Sequence, residues 1–131
     1  MKSKFLLSTV CLLVSALIFS GCASLEQTAY RSLGTTTTLV DGAMNGWGDW
    51  VRAGQATAGD EAQVRAAYEH YQLAMAAARS TVLATTADSA TKSDLERALA
   101  AVDAASAALV QLISQLHEAG NRDQGRGARE Q

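Results

Sequence analysis

The sequence predicts an all-α protein, an antiparallel up-down-up three-helix bundle that spans residues 30–119. Apolar residues recur at alternating spacings of three and four in three separate segments, the connections between the segments are short, and the chain contains no proline. Such spacing places the apolar residues on one stripe of an α-helix, which packs against neighbouring helices. Short connections between helices of similar length favour antiparallel neighbours.

The first predicted helix is the weakest of the three. Its apolar stripe consists of Tyr30, Leu33, Thr37, Val40, Met44, Trp47 and Val51. Residues 35–38 are a run of β-branched threonines, and each glycine in the segment costs about 1 kcal/mol relative to alanine in a helix interior. The spacing of Gly42 and Gly46 predicts a close helix contact inside the bundle. If packing does not hold this segment, the alternative fold is a two-helix hairpin of residues 60–118 preceded by an irregular or partly helical arm.

The second and third predicted helices are richer in alanine, which has a high helix propensity. The second stripe consists of Val64, Tyr68, Tyr71, Met75, Ala78 and Val82. The third stripe consists of Leu95, Leu99, Val102, Ser106, Leu109, Ile113 and Leu116. Ser106 is the polar member of the third stripe, and antiparallel pairing predicts that its hydroxyl group pairs with that of Tyr71.

Local signals predict where these helices begin and end. Thr57 or Asp60 is expected to cap the second helix, and the Ser-Asp-Leu-Glu sequence of residues 93–96 resembles a capping box for the third. Gly120 and Asn121 are expected to end the third helix. Residues 120–131 have no apolar stripe, so they are expected to form a disordered charged tail.

The N-terminal segment contains a sequence pattern that is separate from the three helical stripes. Two lysines within the first four residues precede an apolar run over residues 5–19, and the small residues Ser20 and Gly21 then lead directly to Cys22. This layout is typical of a secretory signal peptide, and the run is shorter than the roughly 20 residues that span a bilayer. With the cysteine in this place, residues 1–22 resemble the lipobox signal of bacterial lipoproteins, although Phe19 stands where that family usually has an aliphatic residue.

The resemblance implies a location and a modification. It implies that a diacylglyceryl group is added to the Cys22 thiol and that cleavage follows Gly21, so residues 1–21 are a signal peptide. Residues 22–29 are expected to comprise the lipidated cysteine and a short tether, or a fraying helix start over residues 23–29. In enterobacterial lipoproteins an aspartate after the cysteine favours retention in the inner membrane. Ala23 stands there in this chain, which favours the outer membrane, facing the periplasm.

The composition argues against several classes of function. Removing Lys2 and Lys4 from the 11 basic residues leaves 9 against 13 acidic residues, a formal net charge of −4, so nucleic acid is not an expected partner. Cys11 leaves with the signal peptide. His70 is expected on the surface and His117 near a helix C-terminus, and neither has metal ligands at helical spacing. We expect no enzyme activity, no metal site, and no cofactor apart from the covalent lipid on Cys22.

The candidate functional residues lie at the end of the bundle farthest from Cys22. Antiparallel pairing brings Trp47 near Tyr68, and this end is roughly 30 Å above the membrane. Trp47 and Trp50 either close the end of the core or, with Trp50 partly exposed, anchor a partner-binding patch. The tail adds three positive charges to this end, from Arg122, Arg126 and Arg129.

The sequence therefore predicts a membrane-anchored, non-enzymatic lipoprotein that presents a helical bundle to a protein partner in the periplasm or cell envelope. An alternative is a small module that binds an apolar ligand in a pocket among Trp47, Tyr68, Tyr71 and Met75. Self-association through the apolar stripes is a third hypothesis.

Overall fold

The computed structural model describes the backbone of residues 24–127 and the side chains of residues 24–122. Within that range the chain forms three helices and no strand: α1 (Leu25–Arg52), α2 (Ala58–Thr86) and α3 (Lys92–Gly127). The start of α1 lies beside the end of α2 and the start of α3, and the opposite ends meet likewise. The predicted all-α, up-down-up three-helix bundle is therefore confirmed.

The core runs along the axis between the three helices. Its buried apolar members are Ala29, Leu33, Val40, Trp47 and Trp50 of α1, Val64, Tyr71, Met75, Ala78 and Val82 of α2, and Leu95, Val102, Ala105, Leu109 and Ile113 of α3. The contact between α2 and α3 is the most extensive, α1 packs mainly on α3, and the seam between α1 and α2 is the least closed. This unequal packing leaves shallow grooves along that seam.

The low-propensity first segment forms one continuous helix, so the alternative of an irregular arm is wrong. Ser24 caps α1, because its Oγ accepts a hydrogen bond from the backbone N–H of Gln27 at 3.2 Å. Three of the four hydroxyl groups in the threonine run form hydrogen bonds within the helix. The hydroxyl groups of Thr35, Thr37 and Thr38 donate to carbonyl oxygens four residues earlier, at 2.9–3.1 Å.

The first stripe is displaced from its predicted position at the start of α1. Tyr30 is 48% exposed, and the adjacent Ala29 is buried in its place. Thr36 is buried, whereas the predicted Thr37 is half-buried. A straight helix has 3.6 residues per turn, so a strict seven-residue repeat drifts by about 20° per heptad. The stripes of α2 and α3 hold as predicted, with each member buried or half-buried.

A glycine-mediated contact inside the bundle is not present. A Cβ atom added to Gly34, Gly42 or Gly46 would meet nothing within 4 Å, so these glycines lie on the outer face of α1. The prediction of a close contact at Gly42 and Gly46 is therefore wrong. The reason is geometric: both glycines are exposed, about 140° and about 100° around the helix from the buried Trp47, and so lie off the buried stripe.

Two capping boxes begin α2 and α3. In the first, the Thr57 hydroxyl oxygen accepts a hydrogen bond from the backbone N–H of Asp60, and the Asp60 carboxylate accepts one from the backbone N–H of Thr57. Thr57 is therefore the N-cap of α2, one of the two capping residues that the sequence predicted. The second uses Thr91 and Asp94 in the same way, with distances of 3.2 and 3.0 Å, so the box predicted at residues 93–96 is wrong. The Thr91 hydroxyl and then its N–H hold the pKa of Asp94 below its ordinary value. Ser93 lies inside the helix because the chain turns helical at Lys92.

The Thr91 cap makes a direct prediction for stability. Thr91→Ala is expected to lower the free energy of unfolding by about 1 kcal/mol, because the backbone N–H of Asp94 loses its acceptor. Ser93→Ala is the matched control and is expected to change it by less than about 0.5 kcal/mol. Urea unfolding followed by circular dichroism measures both. A larger loss for Ser93→Ala than for Thr91→Ala would contradict the observed cap.

Both ends of the bundle are more helical than predicted. Residues 25–29, predicted to form part of a short tether or a fraying helix start, belong to α1, and α3 continues through Gly120 and Asn121 to Gly127. A left-handed backbone commonly ends a helix at glycine, but the only described glycine with a positive φ is Gly54, between α1 and α2. The predicted disordered tail is therefore wrong for residues 120–127. Residues 128–131, Cys22 and the predicted signal peptide lie outside the described residues.

Among the described residues, one segment of α3, Lys92–Arg122, is long and apolar enough to cross a membrane by length and composition. A core helix of a soluble bundle meets the same test. This segment supplies Leu95, Val102 and Leu109 to the core, and its exposed face is rich in alanine. Together these residues give the segment its apolar composition.

Candidate functional site

An aromatic cluster closes the end of the bundle where α1 finishes. The ring centroids of Trp47 and Trp50 lie 5.4 Å apart, and the His117 ring of α3 lies 4.6 Å from Trp50 and 6.4 Å from Trp47. The tryptophans are only 6% and 8% exposed. The interpretation of both as core residues is therefore correct, and the expectation of a partly exposed Trp50 is wrong.

The predicted roles of His117 and Ser106, both on α3, also change. His117 does not lie at a helix C-terminus, because α3 continues well beyond it; instead its half-buried ring packs against the tryptophans. The hydroxyl group of Ser106 donates to the carbonyl oxygen of Asp103 at 2.9 Å rather than pairing with Tyr71. A serine inside a helix can satisfy its hydroxyl locally in this way, without a partner on another helix. His70 is exposed, as predicted.

Gly120 belongs to this aromatic site, although the sequence pattern predicted only that it ends the third helix. A Cβ atom added there would lie 2.6 Å from Cζ2 of Trp50 and 3.3 Å from its Cη2. The Trp50 ring therefore lies directly against the backbone of α3, in space that only a glycine leaves free. One sequence signal could have indicated this: Gly120 follows His117 by three residues, which puts both on one helix face.

An open groove of about 490 Å³ lies beside this cluster, where the connection between α1 and α2 passes the last turns of α3. Its lining residues include Trp50, Gly54, Gln55, Thr57, Asp60, Leu116, Ala119 and Gly120. We call it the distal groove, because it lies at the end of the bundle opposite Ser24. The backbone N–H of Thr57 and then its hydroxyl hold the pKa of Asp60 below its ordinary value. The groove thus combines an apolar surface with a carboxylate that is ionised at neutral pH.

Of the three predicted arginine residues, only the side chain of Arg122 is described, and it does not line this groove. Arg122 is exposed, and its Nε donates to the carbonyl oxygen of Glu118 at 3.2 Å. Arg126 belongs to α3, but its side chain lies outside the described residues, and Arg129 lies outside them altogether. The structure therefore brings together Trp47 and Trp50 and leaves Arg122 outside the groove that Trp50 borders.

The single pocket predicted among Trp47, Tyr68, Tyr71 and Met75 for an apolar ligand is replaced by two open grooves. Tyr68 borders two open grooves on the α1–α2 seam, of about 200 and 300 Å³, with Trp47 beside the first and Tyr71 and Met75 beside the second. Trp47, Tyr71 and Met75 are themselves buried in the core. These residues thus stabilise the bundle and leave shallow surface grooves rather than one enclosed apolar cavity.

In the part of the chain that the structure describes, no group of three or more His, Cys, Asp or Glu residues could hold a metal ion. No protein-family model matches the chain, and neither a curated protein nor a solved structure is similar to it. The distal groove is therefore interpreted from its own residues.

Proposed function

We propose that this protein is a bacterial lipoprotein of the cell envelope, anchored through a lipid on Cys22, which presents the distal groove to a protein partner. The proposed location is the outer membrane, on its periplasmic side, and the proposed role is interaction without catalysis. The observation that carries the proposal is the position of Cys22, which follows a 15-residue apolar run and the two small residues Ser20 and Gly21 and lies three residues before the start of α1. The bundle is thus attached by a very short connection.

The dimensions of the bundle support a partner at its far end. The 28 residues of α1, at 1.5 Å per residue, are about 40 Å long. If the bundle stands along the membrane normal, as we propose, an anchor at Cys22 holds the distal groove tens of ångströms above the bilayer surface. A partner embedded only in the same leaflet does not reach that height, so the partner extends into the aqueous space of the envelope.

The residues of the distal groove suggest the chemistry of that partner. Trp50 and Leu116 supply apolar surface, and Asp60 supplies a fixed negative charge, whereas the described lining residues include no lysine or arginine. Protein interfaces commonly combine apolar contact at their centre with pairs of oppositely charged groups, one from each partner, at their rim. We therefore propose that the partner inserts an apolar side chain next to a lysine or arginine.

The lipid anchor is tested by replacing Cys22. Wild-type protein grown with labelled palmitate is expected to carry the label and sediment with membranes, whereas Cys22→Ala is expected to lose the label, because the thiol that carries the lipid is gone. Cys11→Ala is the matched control and is expected to behave as wild type. Wild-type protein that is unlabelled and released into the soluble fraction would contradict the proposal.

The partner site is tested with a photoactivatable residue at the exposed Gln55, on the rim of the distal groove. We expect a cross-linked product in intact cells that Ala119→Arg largely abolishes, because a long cation at this exposed lining position fills the groove and neutralises Asp60. Ala104→Arg places the same side chain at an exposed alanine of α3 about 22 Å away and should leave the product unchanged.

Equal cross-linking in the two arginine variants would contradict a partner in the distal groove. A product with twice the mass of the chain would support the hypothesis of self-association instead.

A further inference from the structure

We propose that an apolar pocket at the end of the bundle nearest Cys22 holds part of one acyl chain of the lipid on that residue. This inference rests on the lipid anchor proposed above. The pocket is about as open to solvent as the grooves on the α1–α2 seam. It has a volume of about 180 Å³ and lies between the start of α1, the end of α2 and the start of α3. We call it the proximal pocket. Leu25, Val82 and Leu95 form its apolar wall, and Ser24, Thr85 and Thr86 complete it.

The polar groups around the proximal pocket require nothing from a ligand. The hydroxyl groups of Thr85 and Thr86 donate to carbonyl oxygens of their own helix at 2.8 and 2.7 Å. The Ser24 hydroxyl oxygen already accepts a hydrogen bond from the first turn of α1. Glu26 also borders the pocket, but it is exposed, so its carboxylate stays in water. A hydrocarbon chain, which has no hydrogen-bonding groups, therefore fits this surface without leaving a polar group unsatisfied.

The size of the proximal pocket suits a piece of one chain. Pockets for drug-sized ligands have volumes of about 300–1,000 Å³, and this one is smaller. A methylene group is about as large as a water molecule, which occupies about 30 Å³, so the pocket accommodates roughly six carbons.

The position of the proximal pocket identifies the source of that chain. Cys22 precedes Ser24 by two residues, so their Cα atoms are at most about 7 Å apart. A lipid on Cys22 thus starts at the mouth of the pocket.

Exposed apolar side chains gather at the same end of the bundle. Five large apolar residues in the described part of the chain are exposed, and Leu25, Tyr30 and Leu83, at 38%, 48% and 62%, lie within two turns of this end. Leu25 and Tyr30 lie on different faces of α1, so a bilayer surface at this end would cover apolar side chains on more than one side of the bundle.

Occupancy of the proximal pocket would affect the strength of the anchor. One inserted acyl chain binds a membrane marginally and reversibly, whereas two or more hold it stably. Withdrawing part of one chain into the pocket removes apolar length from the bilayer. The occupied pocket therefore favours release of the protein, and the empty pocket favours retention.

Metabolic labelling with a palmitate analogue that carries a photoreactive diazirine near its carboxyl end tests this inference. After irradiation of intact membranes, mass spectrometry should find the analogue on Cys22 cross-linked within the same chain to a peptide from residues 80–97. Thr86→Trp places a large side chain at the mouth of the pocket and should remove most of this cross-link, with Thr85→Leu as a second blocking variant. Thr38→Trp, at an exposed helical threonine outside the pocket, is the matched control and should retain it.

The outcomes separate this inference from the proposed anchor. Label on Cys22 with an intramolecular cross-link that both blocking variants lose supports the pocket. Label on Cys22 with photoproducts only on phospholipid, or only between two chains, overturns the pocket and leaves the anchor intact. Absence of label from wild type overturns the anchor and the pocket together.

Discussion

Replacing Trp50 with alanine is expected to lower the free energy of unfolding by about 3–5 kcal/mol. The indole is 8% exposed and packs between Trp47 and His117, so its removal leaves a cavity where α1 meets α3. Small domains are stable by only about 5–15 kcal/mol in total, so a loss of this size removes a large part of their stability. Equilibrium unfolding in guanidinium chloride measures it.

Tyr30 is the matched control for that substitution. It is an aromatic residue of the same helix, but it is 48% exposed, and Tyr30→Ala is expected to change the free energy of unfolding by less than about 0.5 kcal/mol. Equal losses in the two variants would contradict the assignment of Trp50 to the core. The comparison also shows why Trp50→Ala is unsuitable as a test of partner binding, since lost binding would follow from lost structure.

Replacing Gly120 with alanine is expected to destabilise the bundle, although alanine is the better helix former by about 1 kcal/mol. The new methyl group would lie 2.6 Å from Cζ2 of Trp50, whose rigid ring is held between Trp47 and His117. Overpacking of this kind typically costs about 1–3 kcal/mol, so after the gain in helix propensity we expect a net loss of up to about 2 kcal/mol in the free energy of unfolding.

The same substitution at Gly46 should change the free energy of unfolding in the opposite direction. Nothing lies within 4 Å of a Cβ atom at Gly46, so Gly46→Ala gains helix propensity and is expected to raise the free energy of unfolding by up to about 1 kcal/mol. A double-mutant cycle then identifies the cause at Gly120. When Trp50 is already alanine, Gly120→Ala should no longer destabilise the bundle. A destabilisation that persists there would contradict the proposed clash.

The stripes of α2 and α3 were predictable because helical periodicity is a local property. Every residue from Val64 to Val82 that the spacing selects is buried or half-buried, and no distant contact is needed to explain this. The start of α1 was predicted less well. A seven-residue repeat selects Tyr30, whereas the true helical period selects Ala29, and over several turns the difference becomes one residue.

The start of α3 and the role of Gly120 could not be predicted from the sequence, for two different reasons. Thr91 and Asp94 match a capping pattern as well as residues 93–96 do, so the pattern alone does not decide between two starts separated by two residues. Gly120 is compatible with a helix end and with a helix interior. Its role depends on Trp50, which lies 70 residues earlier in the chain, and a local pattern carries no information about such a contact.

The position of the aromatic cluster also determines how unfolding can be observed. Trp47 and Trp50 are the two tryptophans of the chain, and both belong to the last turns of α1 where it meets α3. Intrinsic fluorescence therefore reports the docking of α1, whereas circular dichroism averages over all three helices. Because α1 carries the exposed glycines and shares little surface with α2, it is the segment best suited to detach as a separate unit. A difference between the two signals during unfolding would measure the stability of α1 apart from that of the α2–α3 hairpin.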